Sequence, residues 1–199
     1  MNRIILATGN KDKVREIKEI LEGMDVEILT MKEADCVADP EEDGTTFEEN
    51  ALIKARAVAK KCDAIVIADD SGLEVDFMNR EPGIYSARWM GHDTSYDIKN
   101  QAILDRLEGV PKEERTARYV AAVAAVLQDG RELVARETME GYIGWEPEGE
   151  NGFGYDPIFY LEEFGHSSAY ITSEQKHAIS HRGKALRAIR EMLVKELGI

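Results

Sequence analysis

Apolar residues in this chain change period several times along its length, and each change marks an element. Residues 3–7 read as a strand, residues 11–21 carry Val14, Ile17, Ile20 and Leu21 on one face of a helix, and residues 26–30 form a second strand. A polar, acidic loop at 38–44 leads to a helix that Thr46 and Glu49 open with capping-box spacing. That helix carries Ala51, Ala55, Val58 and Ala59 and runs through Lys61. The unbroken run Ala64-Ile65-Val66-Ile67-Ala68 has the pattern of a strand buried on both faces. Residues 73–77 read as a short strand, 79–83 as a turn into 84–89, and 96–107 as a helix. Residues 117–127 pull both ways, because alanines favour helix while Tyr119, Val120, Val123 and Val126 favour strand. The Asp129-Gly130 step decides for a hairpin with residues 132–142. A short strand at 157–160 and a last helix from about 176 to 197 complete an α/β chain with a mixed sheet. No linker or repeat divides it, so residues 1–199 are expected to form a single domain.

Charge narrows the choice of partners. A formal net charge of -14 over 199 residues argues against broad binding to nucleic acid or an anionic membrane, since both need basic surface. A phosphorylated small molecule stays open, provided that lysines, arginines and a divalent cation gather locally. There is no apolar stretch of about eighteen residues, and the run at 4–7 is too short for a signal peptide, so a cytoplasmic location is expected. Cys36 and Cys62 have no CxxC spacing and read as structural thiols.

Against that background the pair Asp69-Asp70, followed by Ser71-Gly72, stands out at the close of an apolar run. Ligands of open α/β sheets collect beyond the carboxyl ends of strands, and two adjacent acids there need a metal ion, a cationic partner or a shared proton. Lys54, on the preceding helix, could balance them or reach a phosphate. Thr8-Gly9-Asn10-Lys11-Asp12-Lys13 lies between a strand and a helix, where free N–H groups and lysines suit a phosphate, although neither a P-loop nor GxGxxG spacing is present. Glu41-Glu42-Asp43-Gly44 offers hard oxygen ligands for Mg²⁺ together with the aspartates. In Asn151-Gly152-Phe153-Gly154-Tyr155-Asp156-Pro157, an aromatic flanked by glycines could stack on a nucleobase while Asp156 accepts from its edge. Lys176 with His181-Arg182 supplies donors for base carbonyls or phosphate.

TGNKDK, GTTFEENALIKA, IADDSGLEVD, PGIYSARW, NGFGYDPIF and KHAISHRGKAL, in this order and nearly end to end, resemble the inosine/xanthosine triphosphate pyrophosphatase family. The resemblance implies an elongated mixed sheet with surrounding helices, two lobes flanking a substrate cleft, and a homodimer. It implies Mg²⁺-dependent hydrolysis of ITP, dITP or XTP by water attack at the α-phosphorus, releasing the nucleoside monophosphate and pyrophosphate. Thr8 through Lys13 then match the triphosphate loop, Glu41 or Glu42 with Asp70 the Mg²⁺ ligands, Asp70 the proton acceptor for water, Asp69 and Lys54 its supports, and Ser71 a substrate contact. Phe153, Gly154, Tyr155, Asp156, Lys176, His181 and Arg182 match the nucleoside pocket. Gln175 stands where the family commonly has an acid. A non-catalytic nucleotide sensor, or a pyrophosphatase for other modified nucleotides, is the competing reading.

Overall fold

A computed structural model describes residues 2–198; the side chain of Asp12, expected in the triphosphate loop, lies outside the described residues. In chain order the elements are β1 (Asn2–Leu6), α1 (Lys11–Ile20), β2 (Val26–Thr30), α2 (Phe47–Ala59), β3 (Ile65–Val75), β4 (Glu81–Pro82) and α3 (Tyr96–Arg106). They continue with β5 (Thr116–Val126), β6 (Glu132–Ile143), β7 (Phe159–Leu161), β8 (His166–Ser167), α4 (Ser173–Ile179) and α5 (His181–Leu197). The strand order is β2-β1-β3-β5-β6-β7-β8, with β4 on β3. β1 pairs parallel with β2 and β3, while β3–β4, β6–β7 and β7–β8 are antiparallel, so the sheet is mixed as its pattern predicts. No helix among the described residues is long and apolar enough to cross a membrane.

The chain divides into two compact units, each assembled from separated segments. The first runs up to Asp70, takes in Ala121–Glu137 and resumes at Arg182; the second comprises Ser71–Val120 and Thr138–His181. In the first, Ala185, Leu186, Ile189 and Leu193 form the apolar stripe of α5 and share a core with Ile4, Leu6, Ile65 and Ile67. In the second, Leu73, Val75, Ile103, Tyr119, Tyr155 and Phe159 are buried together. The ambiguous segment 117–127 is strand, and its alanines are buried on both faces, which explains why its apolar residues do not alternate. Cys36 and Cys62 are free thiols, and burial, then Cys36 beside it, pushes the Cys62 thiol up to about 11.

Three local features depart from the pattern. β3 does not stop at Ala68: it runs through Asp69 and Asp70 to Val75, because Leu73 and Val75 are fully buried and hold the chain extended. β1 is the strand that ends there, pairing with β3 only as far as Leu6 beside Ile67, so the acids lie past the carboxyl end of a neighbour. The C-terminal helix breaks at Ser180, whose backbone is extended (φ -63°, ψ 142°), leaving α4 and α5 as separate helices. A 3₁₀ turn, Asp156–Ile158, displaces the expected strand at 157–160 to Phe159–Leu161.

At the start of α2 only half of the capping box forms. Thr46 Oγ1 accepts from Glu49 N at 3.1 Å, but the Glu49 carboxylate reaches back one residue further, to Thr45 N at 2.6 Å and Thr45 Oγ1 at 2.8 Å. Thr46→Ala is therefore expected to lower stability by about 1 kcal/mol, seen as a lower urea midpoint at unchanged slope.

Candidate active site

Beyond Leu6 the backbone stays on β3 for one more hydrogen bond, Ala7 N to Ile67 O at 2.7 Å, and then turns through Thr8, Gly9 and Asn10. Thr8 Oγ1 accepts from Asn10 N at 3.2 Å, and Asn10 Oδ1 accepts from Lys13 N at 3.3 Å, which caps the first turn of α1. A Cβ at Gly9 would meet nothing within 4 Å, so that glycine leaves open space rather than relieving a clash. Lys11 is exposed, whereas Lys13 turns inward and meets Asp69 Oδ2 at 2.7 Å.

Alternation along β3 sends the two aspartates to different partners. Asp69, with a side chain only 1% exposed, is held by Lys13 and by Arg182 Nε at 3.3 Å, while Arg182 also meets Glu16 at 3.2 Å. Burial alone would raise the Asp69 pKa, but the charges of Lys13, Arg182 and Lys54 outweigh it and hold the carboxyl well below the usual range. Asp70 Oδ1 meets Lys54 Nζ at 3.1 Å, and the same ammonium meets Glu42 Oε2 at 3.4 Å. Burial, with Glu42 adding to it against the pull of Lys54, raises the Asp70 pKa. Burial opposes the charge on Lys54, yet Asp70, Asp69 and Glu42 together raise its pKa. Of the two loop glutamates, Glu42 is the one that reaches Lys54; Glu41 is exposed.

A cavity of about 310 Å³ opens within this first unit, lined by the 7–10 turn, Lys13, Glu42, Lys54 and Asp69. Asp70 adjoins it through Lys54. Two buried oxygens, Asp69 Oδ1 and Asp70 Oδ2, have no hydrogen-bond partner among the described residues. An orphaned carboxylate oxygen beside a second carboxylate suits a hard divalent cation, which takes one or two protein carboxylates and leaves the rest of its shell to water and phosphate. No group of three or more His, Cys, Asp or Glu side chains that could hold a metal ion is found among the described residues.

The second unit carries the other motif. Gly152 has φ +74°, and a Cβ there would lie 2.1 Å from Asp156 Oδ2, so the loop requires glycine at that position. The motif's two aromatics separate. Phe153 is 57% exposed, whereas Tyr155 is 3% exposed, donates to Ser86 O at 2.8 Å and packs edge-on to Tyr96. Gly154 O accepts from Asn100 Nδ2 at 3.1 Å. Asp156, expected from the motif to accept from a base edge, has its carboxylate engaged within the protein instead. It is 2% exposed and accepts from Phe153 N at 2.9 Å, Ser168 Oγ at 2.8 Å and Lys176 Nζ at 2.5 Å. Lys176 Nζ lies 5.9 Å from the Phe153 ring centre, and the His181 ring stacks on Tyr119. Arg182, expected beside His181 in the nucleoside pocket, meets Asp69 and Glu16. Ser71 follows the acid pair on β3 and is half-buried.

Three residues in these contacts carry no motif role. Glu16 is three residues beyond Lys13 on α1, a spacing that predicts a shared face. Asn50 interrupts the buried stripe of α2 and accepts from Gly44 N at 2.9 Å, tying the acidic loop to the helix. Ser168 has no sequence cue.

The Ham1 family model matches residues 4–192. This chain belongs to the Ham1 family. Over 195 residues it is 47% identical to a "dITP/XTP pyrophosphatase" of a Thermoanaerobacter species, covering 98% of each chain. Among solved structures, a HAM1 protein from Coxiella burnetii superposes with a TM-score of 0.91 at 36% identity, covering 98% of this chain and 100% of that one. The Staphylococcus aureus Ham1 protein gives 0.90 at 39% identity, with the same coverage.

Proposed function

We propose that this Ham1 chain is a nucleoside triphosphate pyrophosphohydrolase that converts dITP, XTP and ITP to the monophosphate and pyrophosphate. The observation that carries the reading is the Glu42–Lys54–Asp70 bridge beside the turn at 8–10, in a chain related over its whole length to a dITP/XTP pyrophosphatase. An enzyme that binds a polyanion gains nothing from buried carboxylates unless cations and a proton-transfer role accompany them.

In this reading the N–H groups at the start of α1, with Lys11 and Lys13, receive the triphosphate. Glu42 and Asp70 hold Mg²⁺, which when bound supplies positive charge against the phosphate oxygens. Asp70 takes the proton of the attacking water, and Lys54 fixes Asp70 and Glu42 in place. Asp69, clamped between Lys13 and Arg182, keeps Lys13 oriented.

Base choice falls to Phe153, Lys176 and His181. Lys176 carries three N–H donors and Asp156 occupies one, so a carbonyl at purine position 6 finds a donor while the amino group of adenine faces one with no acceptor. Each such mismatch costs about 1–3 kcal/mol. A homodimer is the proposed assembly, for which light scattering should report twice the mass of one chain.

The deciding assay supplies Mg²⁺ with dITP, XTP, GTP, ATP and modified pyrimidine triphosphates and identifies the released anion. Pyrophosphate from dITP and XTP, at kcat/KM at least about a hundredfold above ATP, is the expected result for two mismatched contacts. Orthophosphate as first product, or equal rates on ATP, sinks the reading.

A further inference from the structure

Within the second unit, the lysine assigned to the base is held through a serine that no motif marks. Ser168 follows β8 and is fully buried, and its backbone N–H donates to Phe159 O on β7 at 2.7 Å. The N–H of the preceding Ser167 donates to the Glu148 carboxylate at 2.8 Å, so the segment is fixed from two sides. From that position the Ser168 hydroxyl donates to Asp156 Oδ1 at 2.8 Å. The other oxygen, Oδ2, takes both the Phe153 N–H at 2.9 Å and Lys176 Nζ at 2.5 Å. A Cβ at Gly152 would lie 2.1 Å from Oδ2 and 3.1 Å from Lys176 Nζ, so the pair fills the space that the glycine leaves.

We propose that Ser168 is a positioning residue for base recognition: its hydroxyl pins Asp156 Oδ1, which turns Oδ2 toward Lys176 and the Phe153 amide. The proposal rests on the reading of Lys176 and Phe153 as base contacts. A lysine ammonium sits at the end of a flexible four-carbon stem and reads a carbonyl sharply only where something stops it from swinging. Asp156 is that stop. Because one oxygen serves both donors, it also sets the ammonium against the exposed Phe153 ring, 5.9 Å from its centre. A carboxylate turns readily about its Cβ–Cγ bond. Without the hydroxyl, Oδ1 of an acid only 2% exposed loses a donor and competes with Oδ2 for Lys176, and the ammonium follows whichever oxygen it meets. The phosphate turn and Asp70 belong to the first unit and keep their own contacts. The effect therefore falls on KM and on selectivity.

Ser168→Ala removes one oxygen and little volume. It is expected to raise KM for dITP and XTP about three- to tenfold, up to the worth of one hydrogen bond, while kcat changes less than about twofold and the preference over ATP narrows by a similar factor. In the nucleotide-free protein the Phe153 amide and Lys176 ammonium resonances should both shift. In a Lys176→Met background the same substitution should raise KM less than about twofold, since the group it acts through is gone. KM and selectivity within twofold of wild type overturn the proposal. So does a rise in KM undiminished by Lys176→Met, which marks a purely structural role. If wild type hydrolyses neither dITP nor XTP, the functional reading fails by itself. The two resonances then decide the positioning claim, and unmoved resonances overturn it.

Discussion

Asp70→Asn should lower kcat toward dITP and XTP by about a thousandfold and leave the chain folded. Asparagine matches aspartate in shape and keeps an oxygen toward Lys54, which lies 3.1 Å away. It cannot accept a proton from water, and it presents no charge to a divalent cation beside Glu42. Loss of a positioned base alone typically costs about 10² to 10⁴ in rate. Folding should survive, because burial works against the Asp70 charge and its pKa is raised. A carboxyl with a raised folded pKa favours the native state most when protonated, and that contribution fades as pH rises through the folded value. At neutral pH the neutral asparagine therefore removes an unfavourable charge, while Lys54 retains Glu42 at 3.4 Å. Pyrophosphate release, a melting curve and nucleotide titration on the same preparation separate the cases. Turnover within tenfold of wild type would remove Asp70 from the chemistry, whereas lost turnover with retained binding also disposes of a sensor that never catalyses.

Much of this was legible from residue pattern alone because it is local. Periodicity located α1, β1 and β2, and the Asp129-Gly130 turn placed the β5–β6 hairpin, since side-chain spacing and turn chemistry act over a few residues. Contacts between distant segments were not legible. A buried Asp69 demands a cation, but nothing local indicates that Arg182, 113 residues away, provides one. The same holds for Arg115, whose buried guanidinium donates to the carbonyls of Leu107, Ile143 and Gly144. The extent of β3 was hidden for a different reason. Ser71 and Gly72 resemble a turn, and only the burial of Leu73 and Val75 keeps them extended. Composition likewise marks Asp156 as a polar group available to a ligand, and the hydrogen bonds that satisfy it arise only when the loop closes.

Asp69→Asn should cost stability rather than chemistry, by about 3–5 kcal/mol, because it strips the anion from between two cations. Lys13 lies 2.7 Å and Arg182 3.3 Å from the same oxygen, and the aspartate side chain is 1% exposed, so solvent cannot replace its charge. Arg182 keeps Glu16, but Lys13 is left facing Arg182 across a neutral amide. For a chain of this length such a loss lowers Tm by roughly 6–20 °C. The pH dependence carries its own sign. Lys13, Arg182 and Lys54 overcome burial and depress the folded Asp69 pKa, so its contribution is complete above the unfolded carboxylate value near ~4 and disappears as pH falls toward the folded one. Urea unfolding should therefore show the full gap between variant and wild type at pH 7 and pH 5 and a narrower one at pH 3, where wild type begins to lose the same charge. Adding Arg182→Met to Asp69→Asn removes one of the stranded cations, and the double variant should recover part of the loss instead of summing the two single effects. A gap unchanged between pH 7 and pH 3, or strict additivity, would mean that Asp69 contributes by filling space and not by holding charge.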